Sequence, residues 1–278
     1  MLKVYARVLY VDIDVHHGDG VEEAFYTTDR VMTMSLHKYA PGFFPETGYI
    51  QDKGAKEGRG YSLNVPLSSG ITDEQYFYDV FQPILDKAIE VFQPGAIFLQ
   101  CGADSLAADR LGTFNLTTRG HARMVQHVRS KRIPLLVSGG GGYTIHNVAR
   151  VWCYETATLL DRSDIPNKIP FHDYYEYFAP THELHLLPES MMNLNDKNKI
   201  DKIRSNLLQQ LQELQGSPSV AMQQVPPLFQ YHASIKNNDD DDDDDDDTAV
   251  TQNKRIKKQH PSELYDNYWT RVRTFFFF

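Results

Sequence analysis

The sequence predicts an α/β fold built on a parallel β-sheet, and three observations support this fold class. Strand-like and helix-like segments alternate through about the first 160 residues, as in a sheet whose strands are joined by crossover helices. The segments 7–11 and 96–100 are almost continuously apolar, which is typical of strands covered on both faces. Polar or glycine-rich residues follow three of the strands, as at the ligand-binding edge of such sheets.

Runs of apolar and β-branched residues predict five strands. They are expected at 7–11, 31–36, 61–65, 96–100 and 133–137.

A long helix is expected to begin at Thr72, where Gln75 completes a capping box. Pro83 should kink this helix or split it in two, because proline removes a hydrogen bond of the helix backbone. The segment 163–190 is rich in aromatic residues, proline and histidine and is expected to be ordered but irregular. Further helices are expected at 118–131, 147–160 and 196–215.

The charge of the chain has a local origin. The net charge is −9, but the run Asp239–Asp247 alone contributes nine carboxylates. The remaining 28 of the 37 acidic residues balance the 28 lysines and arginines, so the folded part is expected to be near neutral. Overall charge therefore neither favours nor excludes nucleic acid as a partner.

Cysteine content and hydropathy point to a soluble intracellular protein. Cys101 and Cys153 are the two cysteines, which fits a reducing compartment and gives no disulfide framework. No apolar stretch has transmembrane length, and no signal peptide is expected before the first strand.

Composition divides the chain after Gly216. Residues 1–216 are expected to form one domain, and 217–278 a low-complexity, disordered tail with the aspartate run and a basic cluster. The cluster Lys254–Lys258 is a candidate nuclear import signal, although short basic clusters are common. The phenylalanines at 275–278 are an aggregation liability without an evident function.

Three strand-end loops carry the residues suited to chemistry. In open α/β sheets, sites form outside the carboxyl ends of the strands. Each loop alone is weak evidence, because an aspartate after a strand is more often a helix N-cap and a glycine run is usually a tight turn. Together, at one edge of one sheet, they predict a site. The loops contain Asp12, Asp14, His16, His17 and Asp19; Cys101–Ser105; and Ser138–Tyr143.

The residue types in these loops suit a catalytic zinc ion. Asp12, Asp14 and His16 are spaced by two, so in an extended chain they share one face. Asp14, His16 and Asp104 would supply three protein ligands and leave a position open for water and substrate. Tyr143, on the glycine loop, could donate its hydroxyl to a developing oxyanion, although a tyrosine at the rim or in the core is the ordinary alternative.

Several segments resemble the zinc-dependent histone deacetylases, and most closely their class I branch. They are DIDVHHGDGVEEAFY at 12–26, QCGADSL at 100–106, GGGGYT at 139–144, YEYFAP at 175–180 and MQQVPP at 222–227. The resemblance runs from about residue 7 to about residue 227. It implies the three-layer, parallel-sheet fold shared with arginases, here expected to lack its N-terminal strands.

The resemblance also implies roles for individual residues. Zn²⁺ is expected at Asp14, His16 and Asp104, and Tyr143 matches the tyrosine that stabilises the tetrahedral intermediate. Asp12 and Asp19 match the carboxylates that orient a pair of catalytic histidines. Other matched positions are Phe44 and Leu111 at the substrate channel, Arg110 at an inositol phosphate contact, and Asp12, Asp14, His16, Ser35 and Leu36 at a structural K⁺ site.

Departures from the family pattern bear on catalysis and folding. No histidine precedes His16, and the adjacent pair His16–His17 belongs to the ligand motif, so the general acid–base pair is missing from this chain. His146 stands where class I proteins usually carry an arginine. Strand 7–11 should be central, so without upstream neighbours it is expected to expose an apolar edge. The chain is therefore expected to be a fragment or to need a partner.

Three functions remain in competition at this point. The first is zinc-dependent deacetylation of histone lysines in the nucleus, or also in the cytoplasm, with acetylated histone tails and corepressor proteins as partners. The second is a catalytically inactive homologue in a corepressor complex, or a truncated gene product. The third is a deacetylase of small acetylated amines. None of them requires a membrane or sequence-specific DNA binding.

Overall fold

The computed structural model of the chain describes residues 1–162, 164–214, 216–218 and 274–277. The predicted tail, 217–278, lies mostly outside the described residues, and so do the aspartate run and the basic cluster. No helix in the described part of the chain is long and apolar enough to cross a membrane.

A parallel β-sheet forms the centre of the fold, as the sequence predicts. The described residues give it six strands in the order β3-β2-β1-β4-β5-β6, with every neighbouring pair parallel. The strands are β1 Val8–Asp12, β2 Val31–Lys38, β3 Ser62–Leu67, β4 Ala96–Cys101, β5 Leu135–Gly139 and β6 Thr274–Phe277.

The prediction that the first strand exposes an apolar edge is wrong. β1 lies between β2 and β4 and pairs with both, so its backbone groups are used on both sides. In the described part of the sheet the edge strands are β3 and β6. The phenylalanine run, for which the sequence offers no role, contributes β6 alongside β5.

In the residues that the structure describes, five α-helices and one π-helical segment connect and cover the strands. They are α1 Asp19–Phe25, the π-helix Gln75–Phe81, α2 Gln82–Phe92, α3 Thr118–Ser130, α4 Ile145–Leu159 and α5 Lys197–Glu213. The segment 164–190 contains one short 3₁₀-helix, Tyr175–Phe178, and is otherwise irregular, as expected.

The long helix begins directly after Thr72, as predicted, but the predicted capping box does not form. The side-chain amide of Gln75 donates to the carbonyl of Asn195 at 2.9 Å and accepts from Asn193 at 2.8 Å. Both polar atoms of the Gln75 side chain therefore bond to residues just before α5, and Gln75 does not form the predicted capping box with Thr72. The expected division at Pro83 is confirmed: the π-helix ends at Phe81, and Pro83 lies in the first turn of α2, where its missing N–H is tolerated.

Both faces of the sheet are covered, which gives the predicted three layers. Successive side chains of a strand point to opposite faces. All six residues of β3 and the first seven of β2 are buried, so helices and loops must cover each face there. The strands consequently carry apolar residues at consecutive positions, as in other buried parallel sheets.

Candidate metal centre

Three loops meet at the carboxyl edge of the sheet because their strands are neighbours. β1, β4 and β5 are adjacent and parallel, so the chain leaves all three at the same edge. The backbone N–H of Ala103, after β4, donates to the carbonyl of Gly141, after β5, at 2.6 Å. The prediction that these loops form one cluster is confirmed.

Asp14, His16 and Asp104 form the centre of this cluster. His16 Nδ1 lies 3.1 Å from Asp14 Oδ1 and 2.9 Å from Asp104 Oδ2. One ligand atom from each residue lies within 4.8 Å of the other two. Asp14 and Asp104 are buried and His16 is largely so, which leaves the three polar atoms facing one another.

Hydrogen bonds to the outer oxygens hold the two carboxylates in place. Asp104 Oδ1 accepts the backbone N–H of Val15 at 2.8 Å. Asp14 Oδ2 accepts the backbone N–H of Gly141 at 2.8 Å and the amide of Gln100 at 3.1 Å. Such partners orient ligand side chains in metal sites.

Two glycines let the backbone approach these carboxylates closely. A Cβ atom at Gly102 would lie 2.1 Å from Asp14 Oδ2, and one at Gly141 would lie 2.1 Å from Asp104 Oδ2. No side chain fits at either position without moving a carboxylate. The close approach explains why glycine occurs in both loops.

The electrostatics of the cluster favour a cation. Burial lowers the pKa of His16, but hydrogen bonds and charge from Asp104 and Asp14 outweigh it and raise the pKa to about 9. Burial, together with the charge of Asp14, raises the pKa of Asp104. The protein alone therefore stabilises a positive charge between two carboxylates. Two carboxylates and an imidazole are a donor set that zinc accepts in proteins, so these residues fit a zinc ion.

Asp12 lies beside the cluster and is fully buried. Tyr10 donates its hydroxyl to Asp12 Oδ2 at 2.7 Å, and the backbone N–H of Asp14 donates to Oδ1 at 3.0 Å. Burial, followed by the charge of Asp14, raises the pKa of Asp12 to about 8. The predicted partner, a histidine, is replaced in the described residues by Tyr10.

Asp19 takes a different position from Asp12. It is exposed at the start of α1, and its Oδ1 accepts the backbone N–H of Gly20 at 2.6 Å. The role of both carboxylates in orienting a histidine pair stays a prediction.

Two aromatic rings contact the His16 ring of the cluster. Phe43 stacks on the His16 ring at 5.1 Å between centroids, and Phe44 meets it edge-on at 6.0 Å. The cluster opens into a pocket of about 360 Å³ that Phe44 and Tyr143 help to line. Phe44 is 72% exposed, and Leu111 is also exposed but does not line this pocket.

Tyr143 stands at the mouth of the pocket. Its ring meets His16 edge-on, with 6.2 Å between the centroids. Its backbone N–H donates to Asp109 Oδ2 at 2.8 Å, which fixes the loop while leaving the ring partly exposed. Burial, and then the charges of Asp104 and Asp14, raise the pKa of Tyr143, so its hydroxyl keeps its proton at neutral pH.

Arg110 lies in a second, neighbouring cavity. This cavity has a volume of about 930 Å³ and shares Tyr143 with the first pocket. Arg110 is exposed, and His146 lines the same cavity. The other walls are mainly aromatic: His172, Tyr174, Tyr177 and Phe178.

Ser35 and Leu36, predicted at the K⁺ site, lie on β2 next to β1. Ser35 is the register partner of Asp12. Its hydroxyl accepts the backbone N–H of Gly18 at 3.3 Å and lies 2.9 Å from His37 Nδ1. The carbonyl of Leu36 accepts the hydroxyl of Tyr76 at 3.4 Å.

His37 is buried in its neutral form. Its Nε2–H donates to the carbonyl of Gly48 at 2.8 Å, so Nδ1 is left to accept the Ser35 hydroxyl. Burial, and then the proximity of His17, lower the pKa of His37 to about 3. Between that value and the usual pKa of histidine near 6.5, the unfolded chain binds a proton that the folded chain does not.

This difference predicts a loss of stability in acid. Because stability rises with pH wherever the unfolded state binds more protons, the His37 contribution is complete above about pH 6.5 and falls as the pH drops toward 3. Lowering the pH from 7.5 to 5.5 should remove about 1 kcal/mol of unfolding free energy through this group. In urea titrations, His37→Gln should lose that part of the pH dependence, whereas His172→Gln should keep it. An unchanged pH dependence in His37→Gln would contradict the prediction.

Three contributors to the site were missed or underused at the sequence level. Gln100 follows an apolar run, and its polar side chain at a strand end was the available signal. Phe43 directly precedes the predicted channel residue Phe44, but its stacking on His16 depends on the loop conformation. Asp109, which accepts the backbone N–H groups of Tyr143 and Leu111, gave no sequence signal.

Comparison with known protein families agrees with this geometry. The family described as "Histone deacetylase domain" matches residues 2–159, which include all three site loops. The chain belongs to the histone deacetylase family. The parallel α/β fold described above is consistent with a histone deacetylase domain.

Individual histone deacetylases are similar over most of the chain. "Histone deacetylase 19" of Arabidopsis thaliana is 57% identical over 227 residues, covering 82% of this chain and 45% of the relative. "Histone deacetylase 1" of Homo sapiens is 54% identical over 226 residues, covering 81% of this chain and 46% of the relative. The chain thus spans about half the length of the relatives it matches. These identities support the predicted likeness to class I.

Proposed function

We propose that this chain binds one zinc ion through Asp14, His16 and Asp104 and hydrolyses N-acetyl-lysine on histones. The observation that carries the proposal is the convergence of these three ligand atoms within 4.8 Å beneath an open pocket. Membership in the histone deacetylase family supports the substrate class.

The three proposed ligand residues would bind the zinc ion, and hydrogen bonds from the backbone fix two of them in position. Asp14 and Asp104 use their outer oxygens for backbone N–H groups of Gly141 and Val15, which leaves one oxygen of each toward His16. Zinc, when bound, polarises a water molecule and the substrate carbonyl as a Lewis acid. Because His16 must lose its proton to bind metal, zinc binding should release protons.

Aromatic residues and Tyr143 would act on the substrate. Phe44 would provide an apolar wall of the pocket beside His16 for the alkyl stem of a lysine. Tyr143, protonated and at the mouth of the pocket, would donate its hydroxyl to the oxygen that gains charge during hydrolysis. The proposed substrate channel also includes Leu111 at its outer rim.

Partners, location and second ion follow from the same proposal. Acetylated histone tails would be the substrate, corepressor proteins the assembly partners, and the nucleus, or also the cytoplasm, the location. A structural K⁺ ion is proposed beside the zinc at Asp12, Asp14, His16, Ser35 and Leu36. Arg110 is proposed as an inositol phosphate contact at the corepressor surface.

A second candidate is a zinc-binding homologue that does not hydrolyse its ligand. The observation that favours it is the environment of Asp12 and Asp19, which contact Tyr10, Asp14 and Gly20 rather than an imidazole. Without a general base, hydrolysis should be slower by about 10²–10⁴.

One experiment separates the two candidates. Zinc stoichiometry and acetate release from an acetylated histone peptide are measured on the same preparation, before and after chelation. One equivalent of zinc with chelator-sensitive acetate release supports the hydrolase, and one equivalent without release supports the second candidate. Faster release from acetylated polyamines than from the peptide would indicate a small-molecule substrate instead.

A further inference from the structure

A buried set of three hydrogen-bonded side chains, Ser105, His121 and Glu155, begins at the residue after Asp104. Ser105, the next residue, has its Oγ 2.8 Å from His121 Nε2, and His121 Nδ1 lies 3.0 Å from Glu155 Oε1. Ser105 and His121 are completely buried, and Glu155 is 3% exposed. None of the three belongs to the metal cluster or lines either of the two site cavities described above.

At Ser105, the two hydrogen bonds of the hydroxyl determine which group donates and which accepts. Its hydroxyl lies 3.2 Å from the carbonyl of Gly102, which can only accept, so the single hydroxyl proton points there. The Ser105 oxygen must then accept from His121 Nε2–H. On its other side, His121 Nδ1 contacts the Glu155 carboxyl at 3.0 Å.

A nucleophilic role for Ser105 does not fit its surroundings. Serine, histidine and a carboxylate in this order resemble a hydrolase triad. A nucleophile must reach its substrate, however, and the Ser105 side chain is fully buried with its proton directed to a backbone carbonyl. The arrangement is therefore structural in its chemistry.

The Ser105–His121–Glu155 set connects the turn that carries Asp104 to two helices. Gly102 and Ser105 bracket the 3₁₀ turn Ala103–Ser105, so the Ser105 bond to Gly102 closes this turn around Asp104. His121 belongs to α3 and Glu155 to α4, the helix that follows Tyr143. The indole of Trp152, on α4, donates to the Cys101 carbonyl at 2.9 Å.

We propose that His121, held by Glu155, is a positioning residue for the metal centre and fixes Asp104 through the Ser105 hydroxyl. The inference rests on the proposed zinc ligands, and it adds a residue that fixes the turn carrying one of them. Residues that hydrogen-bond a metal ligand directly typically change metal affinity by 10- to 100-fold when they are removed. His121 contacts Ser105 rather than Asp104, so we expect the lower end of this range, about 10-fold. Because Asp104 is completely buried, its carboxylate cannot recover its position by moving through solvent.

Metal affinity of the full chain tests the proposal without reference to hydrolysis. Zinc dissociation constants are measured by competition with a chromophoric chelator for wild type, His121→Ala, Ser105→Ala and Glu155→Gln. The first two variants should bind zinc about 10-fold more weakly. Glu155→Gln keeps an oxygen that can accept His121 Nδ1–H and should stay close to wild type.

Cobalt spectra and a control on the same helix separate positioning from loss of stability. The visible bands of the Co²⁺-loaded protein report ligand geometry, and they should shift in His121→Ala and Ser105→Ala. His127 also lies on α3, but it pairs with Asp86 at 2.7 Å, so His127→Ala should leave affinity and spectrum unchanged. If His121→Ala does not fold, Ser105→Ala, which removes only a hydroxyl, decides.

Two results would overturn the proposal, and they are distinguishable. Wild-type zinc affinity and spectra in both His121→Ala and Ser105→Ala would reject the positioning role and leave the zinc site intact. Failure of the wild-type chain to bind zinc would reject the proposed function together with the inference.

Discussion

Asp104→Ala is expected to lower the zinc affinity of the chain by more than about 100-fold, beyond the loss typical of an outer partner. Asp104 supplies one of three ligand atoms, and its carboxylate is fully buried beside His16. The other charged groups of the cluster, Asp14 and His16, would remain as a two-ligand site. Chelator competition and metal analysis after gel filtration measure the effect.

Thermal stability gives an independent measure of the same loss. A ligand at 100 times its dissociation constant stabilises the folded state by about 2.7 kcal/mol. For a domain of this size that corresponds to a rise of about 5–10 °C in the unfolding midpoint. Zinc should produce this rise in wild type and not in Asp104→Ala.

Two variants serve as controls for Asp104. Asp104→Asn keeps the volume and removes the charge, so it should also lose zinc if the carboxylate is the ligand. Asp86→Ala removes a carboxylate that contacts His127 and Lys131 away from the cluster, and it should bind zinc normally. Normal zinc binding by Asp104→Ala would contradict the assignment of the ligands.

The fold could be predicted because its strongest signals are local. Continuous apolar runs marked five strands, and the polar residues after β1, β4 and β5 marked the functional edge. Strand order could not be predicted in this way, because it depends on crossover connections between distant segments. The expectation that strand 7–11 lacks a neighbouring strand came from the family resemblance. In the structure, β2 and β4 occupy both sides of β1.

The metal ligands could also be predicted from the sequence, whereas the side-chain contacts between distant segments could not. Asp14, His16 and Asp104 carry chemistry in their residue type, so their spacing was informative without coordinates. The Gln75 side chain could not be placed, because its partners Asn193 and Asn195 lie more than 100 positions away in the sequence. The same holds for His121 and Glu155, which look like ordinary helix residues until α3 and α4 are packed together.

Tyr143→Phe is expected to lower kcat for acetyl-lysine hydrolysis by about 10²–10³, the usual effect of removing one oxyanion donor. The phenol lies at the mouth of the pocket, and its raised pKa keeps the donor proton at neutral pH. The ring itself, which meets His16 edge-on, is retained in the variant. Initial rates of acetate release over a range of peptide concentrations give kcat and KM separately.

The pattern of kinetic change distinguishes this role from a structural one. A donor that acts only on developing charge should change kcat and leave KM and zinc affinity nearly unaltered. Tyr174→Phe is the matched control, since Tyr174 is an exposed tyrosine of the neighbouring aromatic cavity. Equal rates for Tyr143→Phe and wild type would contradict the assignment.

The rate of the wild-type chain determines what the Tyr143 result means. General acid–base catalysis contributes about 10²–10⁴, which is comparable to the Tyr143 contribution. A chain that relies on metal polarisation and Tyr143 alone should therefore hydrolyse slowly, and Tyr143→Phe should bring it to background. If wild type is already at background while zinc binds stoichiometrically, the Asp104 variants still test the metal site, and the non-hydrolytic function is supported.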